Sequence, residues 1–361
     1  MENQNNVMGM LELILRPAFC VRDGSIAFAN HQAQSRGLVA GTPISELLAT
    51  GAEEYAALGD RCLYLLLQMQ KRTFGASVTK VDGLDVFVLE PEHIQPELQA
   101  LALAARELRE PLSNLMVATD QLLPSLDDTD AAAQKQAANI NRSLHHMLRL
   151  LDNMSDSARY AEEQMPWQEY RNVSALMGEY FESAATLVEN AGITLRFTNY
   201  PDDIRSMVDA EKLRRAVFNL ISNAVKFTPK GGHIEAKLTR RDNTIYLTIA
   251  DNGRGIPQEQ FSSLYFRYLR PTCVEDSRHG IGLGMVIVQS AAAAHGGAVL
   301  IEQPPEGGTK VTMTLAVRHP VDGNFRSPAR VPIDYSGGRD RSLVELADLL
   351  PASSFQPKKI N

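Results

Sequence analysis

FNLISNAVKFTPKGG, residues 218–232, decides how the second half of this chain folds. Leu213, Val217, Leu220, Ile221 and Ala224 recur at steps of three and four, the spacing of a helix with one apolar face, and Asp209 stands where an N-cap belongs. On that helix Asn219, Asn223 and Lys226 are four and three residues apart and share another face. Two amides and an ammonium backed by an apolar face suit a hydrated divalent cation and phosphates, because amide oxygens are hard ligands and Mg2+ keeps several waters.

Two further clusters lie downstream. Asp251-Asn252-Gly253-Arg254-Gly255-Ile256-Pro257 directly follows a strand over 247–250. A carboxylate at a strand end can accept a hydrogen bond from an exocyclic amine, and Gly253 and Gly255 let backbone come close to a flat ring. Gly280-Ile281-Gly282-Leu283-Gly284 opens a helix and can turn free N–H groups toward phosphate. Strands are expected at 193–198, 234–238, 244–249, around Val299 and at 311–317, with helices at 173–188 and 285–295. Helices and strands segregate, so an α/β sandwich is expected, one mixed sheet with helices on one face.

In this order and spacing the three clusters resemble the ATP-binding domain of sensor histidine kinases, within the GHKL superfamily that includes gyrase and MutL. NLISNAVKFTPKGG is similar to that family's N box, DNGRGIP to its G1 box and GIGLGM to its G2 box. SLYFRYLRP resembles an F box with tyrosines for phenylalanines, and Gly307-Gly308-Thr309 the final Gly-Thr turn. The resemblance covers roughly residues 170–318. It implies ATP and Mg2+ as cofactors: Asn223 as the metal ligand, Lys226 on phosphate, Asp251 on adenine N6, and Gly280, Gly282, Leu283 and Gly284 on the triphosphate. Gly253, Gly255, Ile256 and Thr309 complete the nucleotide-binding set. Phe227 is a candidate for the adenine side. Residues 271–279 are the expected lid, with Arg278 a candidate for the γ-phosphate and surface charge its alternative reading. Asn219 is a candidate catalytic position where gyrase-like relatives carry a water-activating Glu. An amide cannot take that proton, so fast ATP hydrolysis is not implied.

Upstream, Ile94, Leu98, Leu101, Ala105, Leu108, Leu112, Leu115 and Leu122, with Thr119 as a polar member, form a helical seam ending before Pro124. Pro111 inside it frees the Glu107 carbonyl and implies a bend. A second helix carries Ala137, Ile140, Leu144, Met147, Leu151, Met154 and Ala158. Two such helices joined by a short loop make an antiparallel hairpin, and two hairpins pair as a four-helix bundle, so a homodimer is expected. By the same resemblance RELREPL matches the family's HELRxPL signature at Glu107, Leu108, Arg109, Pro111 and Leu112, with Arg106 in the phosphoacceptor histidine position. A guanidinium with pKa above ~12 has no lone pair to offer at neutral pH. Glu110 replaces the Thr or Asn that orients water in related enzymes. His145 and His146 are read as surface histidines.

Residues 10–90 read as a small α/β module. Strands are expected at 18–21, 26–28, 75–81 and 84–89, the last pair around Asp82-Gly83, and helices at 44–48 and 63–70. The order resembles a PAS sensor domain, with some other small α/β domain as the alternative; no chromophore is expected. At the other end, residues 319–340 read as linker and 342–350, SLVELADLL, as a short amphipathic helix, either packed on its own ATP domain or docking a partner.

The expected fold class is therefore α+β and multidomain: a PAS-like sensor at 10–90, a dimerisation hairpin at 92–162, a histidine-kinase-like ATPase domain at 168–318, and a linker and C-terminal helix at 319–361. The net charge of −7 gives no support to nucleic-acid binding, and no apolar run reaches membrane-helix length. With no secretory leader pattern and three cysteines in no metal-ligand spacing, a cytoplasmic chain with reduced thiols is expected. Two functions remain open. One is a sensor histidine kinase homologue that binds Mg-ATP and phosphorylates a histidine other than position 106, with a response regulator as a possible partner. The other is a non-catalytic, ATP-gated pseudokinase that signals through dimer conformation and partner binding.

Overall fold

Short polar turns and apolar strands build the N-terminal module. In the computed structural model, which describes residues 2–14, 16–70, 72–90, 94–122, 130–161, 168–255, 283–320 and 339–355, helix α1 spans Glu2–Glu12. Strands β1 (Ala18–Arg22) and β2 (Ser25–Ala29) then form a hairpin. Asp23 and Gly24 take positive φ at its turn, as a two-residue loop requires. Asn30 caps α2 (His31–Gln34), and α3 spans Ala52–Ala56. Strands β3 (Cys62–Met69), β4 (Arg72–Val81) and β5 (Leu84–Leu89) complete the module.

Two expectations fail here. Residues 63–69 lie in strand β3, with Gln70 in the turn after it, and form no helix, and 44–48 contain only a single 3-10 turn at Ile44–Glu46. The run Leu63–Leu67 is apolar on both strand faces because both are covered. Leu63, Leu65 and Leu67 pack in the module's core with Phe19 and Phe87, while Cys62 and Tyr64 face the core of the ATP domain. Continuous apolar runs of this length do not separate a buried strand from a buried helix by period alone.

Helices α4 (Ile94–Leu122) and α5 (Ala131–Ala161) form the expected hairpin. The expected single seam splits into two rows. Ala105, Leu112 and Met116 of α4 bury against Leu144, Leu148 and Leu151 of α5. Leu108, Leu115 and Leu122 are instead 54%, 56% and 66% exposed, and Ile140 and Met147 of α5 also face out. A straight helix with apolar residues at alternating three and four spacing carries more apolar width than one neighbour can cover.

The ATP-domain half begins with β6 (Glu169–Asn172), α6 (Val173–Asn190), β7 (Thr194–Tyr200) and β8 (Arg205–Val208). It continues with α7 (Ala210–Phe227), β9 (His233–Arg241), β10 (Thr244–Asp251), α8 (Leu283–Ala294), β11 (Val299–Glu302) and β12 (Thr309–Ala316). Helices α6, α7 and α8 cover the sheet through Phe181, Leu213, Val217, Ile221 and Val288. Each such fully buried side chain contributes about 1.5–3 kcal/mol relative to exposure. Strand order is β2-β1-β5-β4-β3-β11-β12-β10-β9-β7, one sheet of ten strands running through both halves of the molecule. Its junction pairs Cys62, Leu63 and Tyr64 with Ile301, Leu300 and Val299. Pairing is antiparallel except between β7 and β9. Last, α9 spans Arg341–Glu345.

Candidate nucleotide site

Helix α7 is placed by its N-cap. The Asp209 side chain accepts the Lys212 N–H at 3.0 Å. The Asp209 N–H itself donates to His295 Nε2 at 2.9 Å, and His295 Nδ1 donates to the Ala291 carbonyl at 2.6 Å. His295, 1% exposed, is therefore held as the neutral Nδ1–H tautomer and ties the end of α8 to the start of α7. Burial pushes its pKa from 6.5 down to about 4. The unfolded chain binds the extra proton first, so this group's stability contribution is full above about pH 6.5 and is lost as pH falls toward 4. The loss should approach roughly 3 kcal/mol by linkage. Urea unfolding of wild type and His295→Gln between pH 7 and 4 checks this: the variant should be less stable at pH 7 and lose about one proton of pH dependence. Parallel pH curves would contradict the assignment.

The amide face of α7 meets the start of α8. Asn219, 2% exposed, donates to the Arg215 carbonyl at 2.8 Å, and its Oδ1 points at Gly284, where any Cβ would sit 2.8 Å away. Asn223 Nδ2 donates to Met285 Sδ at 3.7 Å, leaving its Oδ1 as the outward hard donor. Lys226 lies one turn on, half-buried. Gly284 and Met285, the last residues of the G2-like stretch, are thus brought against residues far earlier in the sequence.

Asp251 closes the third side, at the end of β10. Its Oδ1 accepts N–H groups from Gly253 at 2.9 Å and Thr309 at 3.3 Å. Burial pushes its carboxyl upward, and these two N–H groups pull it back down. Gly253 passes so close to the Phe227 carbonyl that a Cβ would overlap it, and Gly308 does the same with the Asp251 carbonyl. Gly255, at φ +71°, approaches Gln303 and Gly308. The Phe227 ring carries the Arg254 guanidinium 4.9 Å above its centre. Asn219 and Asn223 thus meet Gly284 and Met285, and Phe227 at the end of the same helix meets Gly253 beside Asp251 and Thr309; Lys226 lies on α7, Leu283 opens α8 and Gly255 follows the Asp251 turn. Ile256, Arg278, Gly280 and Gly282, the F-box-like stretch and the expected lid lie outside the described residues.

Residues 208–319 match the family described as histidine kinase-, DNA gyrase B-, and HSP90-like ATPase. The chain is 32% identical over 225 residues to the histidine protein kinase DivJ of Caulobacter vibrioides, covering 60% of this chain and 37% of DivJ. It is 26% identical over 313 residues to the sensor-like histidine kinase SenX3 of Mycobacterium tuberculosis, covering 81% of this chain and 74% of SenX3. Residues 208–319 carry an ATPase domain of that family, and the chain is similar to sensor histidine kinases over most of its length. Its fold is shared with full-length ShkA in complex with AMPPNP, at a TM-score of 0.50 and 23% identity, covering 62% of this chain and 47% of that one. The chain spans little more than a third of DivJ's length.

The sequence reading missed an ion-pair chain that runs into the N-box helix of this kinase homologue. Arg109, in the RELREPL stretch, donates to Asp152 of α5 at 3.0 Å, and Asp152 lies 3.8 Å from Arg215 of α7. Arg215 also donates to Asn153 at 3.2 Å, and Arg149 to Ser222 at 2.8 Å. Charged residues on a helix read as solvated surface until the neighbour that buries them is known. His145 corrects a second expectation. It is 8% exposed, its Nδ1 donates to the Asn141 carbonyl at 2.8 Å, and its ring packs on Phe355. Arg106 is exposed, and His146 is half-buried. No described helix is long and apolar enough to cross a membrane.

Proposed function

We propose that this chain is a homodimeric two-component signalling protein that binds Mg-ATP, with a PAS-like sensor at its N-terminus and Arg106 in place of the phosphoacceptor. The convergence of the Asn219/Asn223 face, Asp251 and the Gly253 and Gly308 backbone carries this reading. The donor set fits the ligand: Asn223 Oδ1 is a hard oxygen for Mg2+, Lys226 is a cation for phosphate, and Asp251 is a carboxylate acceptor for an exocyclic amine. Bound Mg-ATP would supply a transferable phosphoryl group. Asp251 would orient the base, Asn223 would hold the metal and Lys226 would meet the phosphates. The exposed row Leu108, Leu115, Leu122, Ile140 and Met147 supports pairing of two hairpins, because one hairpin leaves it uncovered. The antiparallel strands and short helices of residues 18–89 support the PAS-like reading.

A second reading, the ATP-gated pseudokinase, is favoured by two side chains. Arg106 cannot act as a phosphoryl acceptor at neutral pH, and His145 is sealed under Phe355. Incubation with γ-labelled ATP and Mg2+, alone and with candidate response regulators, separates the two. Acid-labile label on this chain or on a histidine of its partner supports transfer to a position other than 106; nucleotide binding with no transfer supports the pseudokinase. Asn223→Ala should abolish Mg-dependent nucleotide binding in calorimetry while leaving the melting temperature within a few degrees. Unchanged affinity would overturn the metal-ligand assignment.

A further inference from the structure

Residues 339–355 fill the cleft between the hairpin and the ATP domain. Asp340 caps α9, accepting the Ser342 N–H at 2.9 Å. Among the described residues, Val344 is the one from outside the hairpin in the buried hairpin core, where it joins Leu112, Leu144 and Leu148. Leu346, Ala347, Leu350 and Phe355 belong instead to the ATP-domain core. The segment thus supplies apolar contact to both units at once. Ser342 Oγ lies 2.8 Å from Ser183 Oγ of α6, and the Phe355 carbonyl accepts from Asn141 Nδ2 at 3.1 Å.

The charges match across the cleft. Glu345, 1% exposed, accepts from Arg215 at 2.7 Å and lies 3.6 Å from Arg214, and Asp348 pairs with Arg149. Arg149 and Arg215 are the residues that also bind Ser222 and Asn153, so Glu345 and Asp348 sit at the joint where α5 meets the N-box helix. The match is incomplete: among the described residues Glu345 Oε2, Arg149 Nε and Arg214 Nη1 are buried without a hydrogen-bond partner. Buried ion pairs of this kind fix register while contributing little net stability compared with an apolar contact, and unpaired buried polar atoms lower it further. An acidic segment held this way is specific in position and open to release.

We propose that residues 339–355 are a tethered latch: the cleft lined by Arg149, Arg214 and Arg215 is a receptor for an acidic amphipathic peptide, and this segment is its resident occupant, fastening the hairpin to the N-box helix. This holds whether or not the chain transfers phosphate.

The test uses the full chain. Glu345→Lys should raise amide exchange at least tenfold in residues 141–154 and 211–223. A labelled synthetic peptide of residues 339–355 should then bind the Glu345→Lys chain at least tenfold more tightly than wild type, whose cleft is filled. The same peptide carrying Glu345→Lys should not bind. Because a buried charge reversal could unfold the chain, a second pair guards the result. Asp348→Arg should loosen the same amides, and Arg149→Asp combined with Asp348→Arg should restore protection. Unchanged exchange in Glu345→Lys and Asp348→Arg, or equal peptide binding by wild type and variant, would overturn the latch.

Discussion

Asp251→Asn should lower nucleotide affinity by roughly 10–100-fold while leaving the fold intact. The size follows from losing a hydrogen bond to a charged acceptor, about 1.5–3 kcal/mol. The direction follows from geometry. Both N–H groups of Gly253 and Thr309 point at Oδ1, so an asparagine here must keep its oxygen on them and turn its NH2 toward the ligand. That places a donor against the exocyclic amine of adenine, where the carboxylate placed an acceptor. Isothermal calorimetry with an ATP analogue, beside a thermal melt of the same samples, reads both halves. A large loss of melting temperature would mean that Asp251 serves the end of β10 rather than a ligand. Retained affinity with a retained fold would remove adenine recognition from this residue.

Two adjacent glycines provide the second large effect. Gly308, at φ +81°, would bring a Cβ into the Asp251 carbonyl, and that backbone is held in the β10–β12 ladder, where Asp251 pairs with Thr309. Gly307, at φ +94°, has no heavy atom within 4 Å of a Cβ position. Gly307→Ala should therefore cost only the left-handed conformation, about 1–2 kcal/mol. Gly308→Ala should cost that and the overlap, about 3 kcal/mol or more, and should disturb nucleotide binding because the strand end that holds Asp251 must move. Denaturant unfolding of both variants checks the order; equal losses would show that the strand end yields easily.

Much of the ATP-domain half was legible in the chain because its signals are local. The spacing of Asn219, Asn223 and Lys226 fixes one helical face whatever surrounds it, Asp209 caps that helix as its side chain dictates, and Asp23-Gly24 and Asp82-Gly83 turn as their backbone preferences require. Residues 63–69 were not legible as a strand, because their period is hidden when both faces are buried. His145 reads as a surface residue on its own helix, yet it is buried with its ring packed on Phe355, more than two hundred residues later.

Taken alone, the sequence determined that this protein is a sensor-kinase relative with three separated clusters suited to a nucleotide, and by resemblance it placed Arg106 at the expected phosphoacceptor position. The clusters are legible because they rest on side-chain chemistry and spacing within single elements. Only the tertiary structure decided that Asn219 is sealed under Gly284, that the N-terminal sheet continues into the ATP domain through β3 and β11, and that Glu345 and Asp348 join the hairpin to α7. The reason is burial: it depends on which distant surface arrives, and a guanidinium such as Arg215 becomes an interior group only when Glu345 comes to meet it.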